Sequence, residues 1–244
     1  MKEILAPLHL DFEIKSGEIQ ISKGKSAIRI HIIRNEQRNA PAKGSLSLPI
    51  DYLVKQPEKI AAIIQSKLGL NQRIFARNCE LKKVNKGEAE QFLQTYHLMN
   101  STQSASNYGL YYKGELMAVA SFSKGRKMRR LREDQRSFEL IRFCCKKGYT
   151  ITGGLSKLLK HFVKEKKVGD IMTYVDRQWS EGDAFVKAGF KRLEKTEPKR
   201  FLINRKNFER TLLEKGDESP DAKTHFELND AGNLKLIYTP LAKP

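Results

Sequence analysis

The stretch Tyr149–Val163, YTITGGLSKLLKHFV, has the make-up of a turn that holds a phosphate. β-Branched residues lead into Gly153 and Gly154, and Leu155, Leu158, Leu159, Phe162 and Val163 follow at i, i+3, i+4, i+7 and i+8, the period of an amphipathic helix. Thr150, Thr152, Gly153, Gly154 and Ser156 offer small side chains and close backbone approach. A helix starting near Ser156 would point its free N–H groups and positive dipole end at an anion there, and Lys157 could add a charge. The stretch is neither the GxxxxGK[ST] of a P-loop nor the GxGxxG of a dinucleotide fold. A tight strand-to-helix turn with Ser156 as N-cap is the structural alternative.

A second constellation lies in TYVDRQWSEGDAFVKAGF, residues 173–190. Asp176 follows the strand-like IMTYV at its C-terminal end, where open α/β sheets place ligands and catalysts. A carboxylate there can act as a general base or orient one; pairing with Arg177 or Arg142 is the alternative. Ser180 and Asp183 have capping-box-like spacing, so Ser180 reads as an N-cap, a catalytic hydroxyl or both, and Gly189 suits the end of a short helix. Trp179, the only tryptophan, stands among polar residues as a base-stacking candidate or a packing residue.

Lys124, Arg126, Lys127, Arg129, Arg130 and Arg132 put six cations in nine residues without a helical stripe, as a mobile loop that tracks phosphates would. A solvated charge run is the alternative, and Arg142, Arg177 and Trp179 complete the nucleic-acid set. His97 falls one residue past the apolar stripe of its helix, facing a cleft or serving the structure. Ser180, His97 and Asp176 could make a hydrolase triad on paper, but no GxSxG elbow supports one.

These residues need elements to position them. FEIKSGEIQIS and AIRIHIIR alternate as strands, with a turn at Ser16–Gly17, and the polar NEQRNAPAKGS reads as a loop or boundary. Pro57 opens a helix that Gly69 closes, with Ile60, Ala61, Ile64 and Leu68 on one face. Beyond Cys79 come a helix through Ala89, Phe92, Leu93 and Tyr96, a hairpin turning at Lys113–Gly114, and the strand SFELIRFCC. The loop and its helix follow, then the strand DIMTYVD, the short helix SEGDAFVKAG, two strands in FKRLEK and KRFLIN, and a final strand candidate, LKLIYTP. Strands alternating with helices give an α/β mixed sheet with covered faces. Along the chain this divides into a β-rich extension (1–45), a helical connector (46–78), the main domain (79–212) and a tail (213–244).

The chain has 244 residues, 39% hydrophobic, and 46 Lys and Arg against 28 Asp and Glu, a formal +18. That excess points to a polyanionic partner, nucleic acid before an acidic membrane surface. Cys79, Cys144 and Cys145 lack zinc-site spacing and fit buried free thiols in a reducing compartment. Pro7 and early charges argue against a signal peptide. The expectation is a cytoplasmic protein without membrane contact.

The order of elements from 79 to about 205, with its glycine loop and DAFVKAGF ending, resembles the GNAT acyltransferases. ELIRF, GGLSKLLKHF, YVDRQWSEG and KAGF together are similar to phage Mom-type DNA-modification proteins and to the GNAT-like domain attached to phage homing-endonuclease-like proteins. LPIDYLVKQPEKIAAIIQSKLGLNQRIFARNC and FLQTYHL resemble the latter set, so the likeness spans roughly 46–205. It implies a GNAT-like fold with an N-terminal β-rich extension, and acyl transfer from acetyl-coenzyme A or another acyl-coenzyme A to an amine, including an exocyclic amine of a DNA base. The donor's pyrophosphate would lie on the loop 150–156. The resemblance carries functional roles onto Asp176, Ser156 and His97, with His97 as the ligand of an associated iron; the residues themselves define no metal. Two positions depart from the family pattern. Tyr149 or Thr150 stands where Gln or Arg is expected, and Phe185 stands where many members have a tyrosine acid, a role that Tyr174 or Ser180 could take. A non-catalytic DNA-binding module, and an acyltransferase for a protein or small-molecule amine, are the rival readings.

Overall fold

The computed structural model describes residues 11–15, 18–24, 26–33, 45–214, 216–217 and 221–240. The expected turn at Ser16–Gly17 and the polar segment 35–44 lie outside them. The chain forms two compact units, each assembled from three separate segments.

The first unit comprises Met1–Leu70, Asp176–Glu181 and Lys195–Asn233. Strands β1 (Asp11–Lys15), β2 (Glu18–Lys23), β3 (Ser26–Ile33) and β4 (Ser45–Pro49) form one sheet in that order, antiparallel except for the parallel β3–β4 pair. Ile19, Ile21, Ile28 and Ile30, the alternating set of β2 and β3, are buried, as the period-2 pattern demands. Helices α1 (Ile50–Lys55) and α2 (Pro57–Lys67) follow, α2 opening on Pro57 and ending at Gly69, whose φ is +72°. A second sheet joins β13 (Arg200–Asn204) to β14 (Arg210–Leu213) and β15 (His225–Asn229).

The second unit comprises Asn71–Val175, Gly182–Glu194 and Leu234–Pro244. Its short parallel pair joins β5 (Gln72–Phe75) to β10 (Tyr149–Thr152). Its main sheet contains β6 (Glu80–Lys83), β7 (Ser106–Tyr112), β8 (Glu115–Phe122), β9 (Arg136–Cys145), β11 (Val168–Asp176), β12 (Lys191–Lys195) and β16 (Asn233–Tyr238), in the order β12-β16-β11-β9-β8-β7-β6. This is the mixed α/β sheet expected from the sequence. Lys113 and Gly114 turn the β7–β8 hairpin at φ +51° and +81°, the left-handed pair that matches strand twist in a two-residue loop. The strand LKLIYTP contributes β16, seated between β11 and β12 rather than trailing as a tail.

Three α-helices complete the described part of this unit: α3 (Lys86–Tyr96), α4 (Gly154–Glu165) and α5 (Asp183–Lys187). α4 buries Leu155, Leu158, Leu159 and Phe162, the predicted stripe. Phe162 stacks on Phe122 with centroids 3.9 Å apart and meets Phe138 and Tyr108 edge-on. Truncating so enclosed a ring to alanine would cost about 3–5 kcal/mol.

β9 and β11 are parallel, but their ladder runs only from Val168↔Arg136 to Met172↔Glu139. Beyond it Thr173 donates its hydroxyl to the Leu140 carbonyl at 2.8 Å, and the two strands continue without pairing each other. Among the described residues no helix is long and apolar enough to cross a membrane. The three cysteines are unpaired, with Cys79 buried and Cys144 and Cys145 half-buried.

Candidate functional site

The glycine loop begins where β10 ends. The helix starts at Gly154, and its N-cap is Gly153 at φ 79° and ψ 5°, a left-handed conformation that a glycine adopts without penalty. Ser156 is therefore the third helical residue, not the N-cap, which corrects the structural alternative considered above. A Cβ on Gly154 would lie 3.1–3.2 Å from Ile151 and Leu110 side-chain atoms, so packing also favours glycine there. The first intrahelical bond is Lys157 N to Gly153 O, 3.0 Å. The N–H groups of Gly154, Leu155 and Ser156 precede it and have no partner within the helix. No side chain caps this end, and no acidic residue sits in its first turn. The result is a concentrated donor site carrying the positive end of a three-turn dipole.

Thr152, Gly153 and Ser156 open onto a cleft of about 590 Å³. Thr150 is exposed and accepts a hydrogen bond from the Asn71 amide at 3.3 Å. Lys157 differs from its expected role. Its ammonium donates to the carbonyls of Ala76 at 2.9 Å and Cys79 at 2.5 Å, pinning that turn beside the loop. The charge is spent on backbone, so the anion site depends on N–H groups.

Asp176 belongs to the first unit, in a polar-aromatic cluster that sequence reading missed. Its Oδ1 accepts the Gln178 N–H at 2.8 Å, and its carbonyl accepts from Trp179 and Ser180, both at 3.1 Å. Burial pushes its carboxyl up to about 6; the Gln178 N–H and Arg210 oppose the rise, and Asp230 adds to it. Arg210 pairs bidentately with buried Asp51 at 2.8 and 2.9 Å while its guanidinium lies 4.4 Å from the Tyr52 ring and 4.7 Å from Phe201. The cation acting on Asp176 is thus Arg210. Arg177 and Arg142, proposed as its partners, spend their guanidinium groups on backbone carbonyls: Arg177 on Ala231, Arg142 on Asn100 and Ile141. Tyr52, Asp51 and Arg210 are 159 residues apart at the extremes, and no local pattern announces them.

Trp179 is half-buried, edge-on to Tyr52 at 5.7 Å, with its indole N–H turned inward. The Gln178 side-chain oxygen is buried without a hydrogen-bond partner among the described residues, and the Trp179 indole N–H lies close enough to the Asp176 carboxylate to favour its charged form. Ser180 is not an N-cap: Gly182, at φ 76°, occupies that position for α5, and Gly189 follows its C-cap as expected.

Tyr174 and His97 lie in the second unit. Tyr174 is exposed on β11, and His97 forms the C-cap of α3, its Nδ1 accepting the Met99 N–H at 3.1 Å. No three His, Cys, Asp or Glu side chains gather as a metal site among the described residues, so the iron ligand set implied for His97 has no companions there. The basic loop is anchored rather than loose. Arg126 bridges Ser137, Arg130 pairs with buried Asp170 at 2.6 Å, and Leu131 packs over Gly169. Lys124, Arg126, Lys127 and Arg129 remain exposed, and Arg132 stands 3.9 Å from Asp134.

No family model matches the chain, and no curated protein does. Similar solved structures are acetyltransferases. The ribosomal-protein-S18-alanine N-acetyltransferase of Escherichia coli is 13% identical, with 68% of this chain and 96% of that one covered and a TM-score of 0.41. A Bacillus subtilis acetyltransferase in complex with CoA is 11% identical over 67% and 99% of the two chains, TM-score 0.41. Arabidopsis thaliana Naa50, in complex with a bisubstrate analogue, is 14% identical over 67% and 99%, also at 0.41. These are likenesses of fold alone.

Proposed function

We propose that the chain is an acyl-coenzyme A-dependent N-acyltransferase of GNAT type whose acceptor is an amine on nucleic acid. The observation that carries the first half is the open N-terminus of α4, with a left-handed glycine as N-cap, no capping side chain and no acid in its first turn. The N–H groups of Gly154, Leu155 and Ser156, with the side chains of Thr152 and Ser156, would hold the donor's pyrophosphate. The donor, when bound, supplies an activated acyl thioester. Asp176 suits the proton-accepting role on its own chemistry: a carboxyl raised to about 6 is ionised at neutral pH yet more basic than an ordinary carboxylate.

The nucleic-acid half is supported by the formal +18 and by the exposed Lys124, Arg126, Lys127 and Arg129. A base amine as acceptor, and a phage-type lineage, follow from the motif resemblance. The test is to incubate the protein with acetyl-coenzyme A and DNA and to analyse the digested nucleosides by mass spectrometry. An acetylated nucleoside is expected. Unmodified nucleosides beside acetylated protein or small amines would transfer the activity to another acceptor. The DNA-binding-module reading is favoured by one observation, the commitment of Lys157 to backbone carbonyls; failure of calorimetry to detect acetyl-coenzyme A binding would establish it over the enzyme.

A further inference from the structure

The cleft below the loop continues along the solvent side of α4, walled by that helix and the 75–81 segment. Arg77, Lys157, Lys160 and Lys164 line it, and no acidic residue does. Lys157 is occupied by backbone carbonyls, as described. Arg77, Lys160 and Lys164 are exposed and make no ion pair among the described residues. Glu165, the one acid of α4, is turned to Lys83, Lys166 and His161. Lys160 and Lys164 stand four residues apart on one face, a rise of about 6 Å. They are successive anchors along the groove, and the repulsion between them is relieved by an anionic chain laid across both.

The groove also carries an aromatic platform. Phe75 is 49% exposed, unusual for so large an apolar ring, and the Arg77 guanidinium sits 4.9 Å from its centroid. With half of its surface exposed, the ring offers area on which a flat partner can lie, beside the cation. Cations in series beside an exposed aromatic are the features by which proteins grip unpaired nucleotides: phosphates on the charges, a base on the ring. A duplex would keep its bases stacked and paired, and could use only the charges.

We propose that this groove binds a single-stranded nucleic-acid segment, with phosphates on Lys160 and Lys164 and a base stacked on Phe75. The inference rests on the nucleic-acid half of the proposed function; the groove shares its cleft with the pyrophosphate loop, and the two ligands are told apart by the residues each requires. It adds a strand-holding site to the chain beyond the basic loop at 124–132.

Fluorescence anisotropy with a labelled oligothymidine, and with a duplex of mixed sequence, tests it across salt concentrations. Phe75→Ala should weaken single-strand binding about tenfold and leave duplex binding unchanged. Lys160→Ala with Lys164→Ala should lower the slope of log K against log salt by about 1.4, the loss of two phosphate contacts on a single strand. The pair Lys191→Ala with Lys195→Ala, which removes equal charge from exposed positions elsewhere, should leave that slope at the wild-type value. Calorimetry with acetyl-coenzyme A on the same variants separates the two proposals. The groove variants should keep wild-type cofactor affinity, while Gly154→Asp loses it and still binds the strand. Wild-type binding to oligothymidine that Phe75→Ala does not weaken, or a salt slope that the two lysine pairs change equally, would overturn the groove. So would loss of cofactor affinity in the groove variants without loss of strand binding.

Discussion

α3 and α4 are helices of nearly equal length in the same unit, eleven and twelve residues, and they begin in opposite ways. α3 closes its own end. The Asn85 side chain accepts the Glu88 N–H at 2.9 Å and donates back to the Glu88 carboxylate at 3.4 Å, and Glu88 also accepts from the Tyr111 hydroxyl. Cap, reciprocal acid and favourable dipole charge are all internal. α4 has two glycines where α3 has a cap, no acid in its first turn, and a lysine drawn away to neighbouring carbonyls. Both helices bury an apolar face, and the close approach of Ile151 and Leu110 favours glycine only at 154, so packing does not account for the missing cap and the missing acid. A helix that satisfies its own end has nothing left to offer an anion; α4 keeps its donors available, at some cost in helix stability.

The largest expected effect comes from closing the open end with charge. Gly154→Asp places a carboxylate among the free N–H groups and a Cβ against Ile151 and Leu110. Acetyl-coenzyme A affinity should fall by about 100-fold or more, some 3 kcal/mol in calorimetry, with helical circular dichroism retained; unchanged affinity would show that the two helix starts do not differ in function.

Asp176 supplies a second contrast with Glu88, as a carboxyl on which burial outweighs its hydrogen-bond and charge partners. Its folded-state pKa, about 6, lies above its ordinary 3.8, so the folded protein binds the proton more tightly than the unfolded chain. Stability should therefore fall as pH rises from about 4 to about 6, and Asp176→Asn should remove that slope while raising stability at neutral pH by about 1–3 kcal/mol. Urea midpoints across this window measure it, and a wild-type curve flat between those values would refute the buried-carboxyl account. The same variant should abolish acyl transfer. At the small end, Asn85→Ala should lower stability by about 1 kcal/mol in the same urea assay and leave cofactor affinity untouched.

Much of this was legible from residue pattern. The α4 stripe, the Lys113–Gly114 hairpin and the strand SFELIRFCC all carry strong local periods, and each stands where the sequence put it. The strands QRIF and YTIT were not seen, because four residues with one buried side chain show no period at all. The capping of α4 was misassigned for a related reason: Ser156 has the chemistry of an N-cap, but a left-handed glycine three residues earlier takes the position first. The surroundings of Asp176 depend on Asp51, Tyr52, Arg210 and Asp230, brought together from distant parts of the chain, and no spacing rule reaches that far.

Ser156→Asp is the most direct test of the claim that α4's N-terminus is reserved for the donor's pyrophosphate. An acid at this third helical position complements the dipole, so for a purely structural helix start it is simply stabilising, by about 0.3–1 kcal/mol. For a pyrophosphate site it repels the ligand. Thermal denaturation and acetyl-coenzyme A calorimetry on the one variant should therefore move in opposite directions, with a slightly higher Tm and an affinity at least about tenfold weaker. A higher Tm with undiminished affinity would contradict the account.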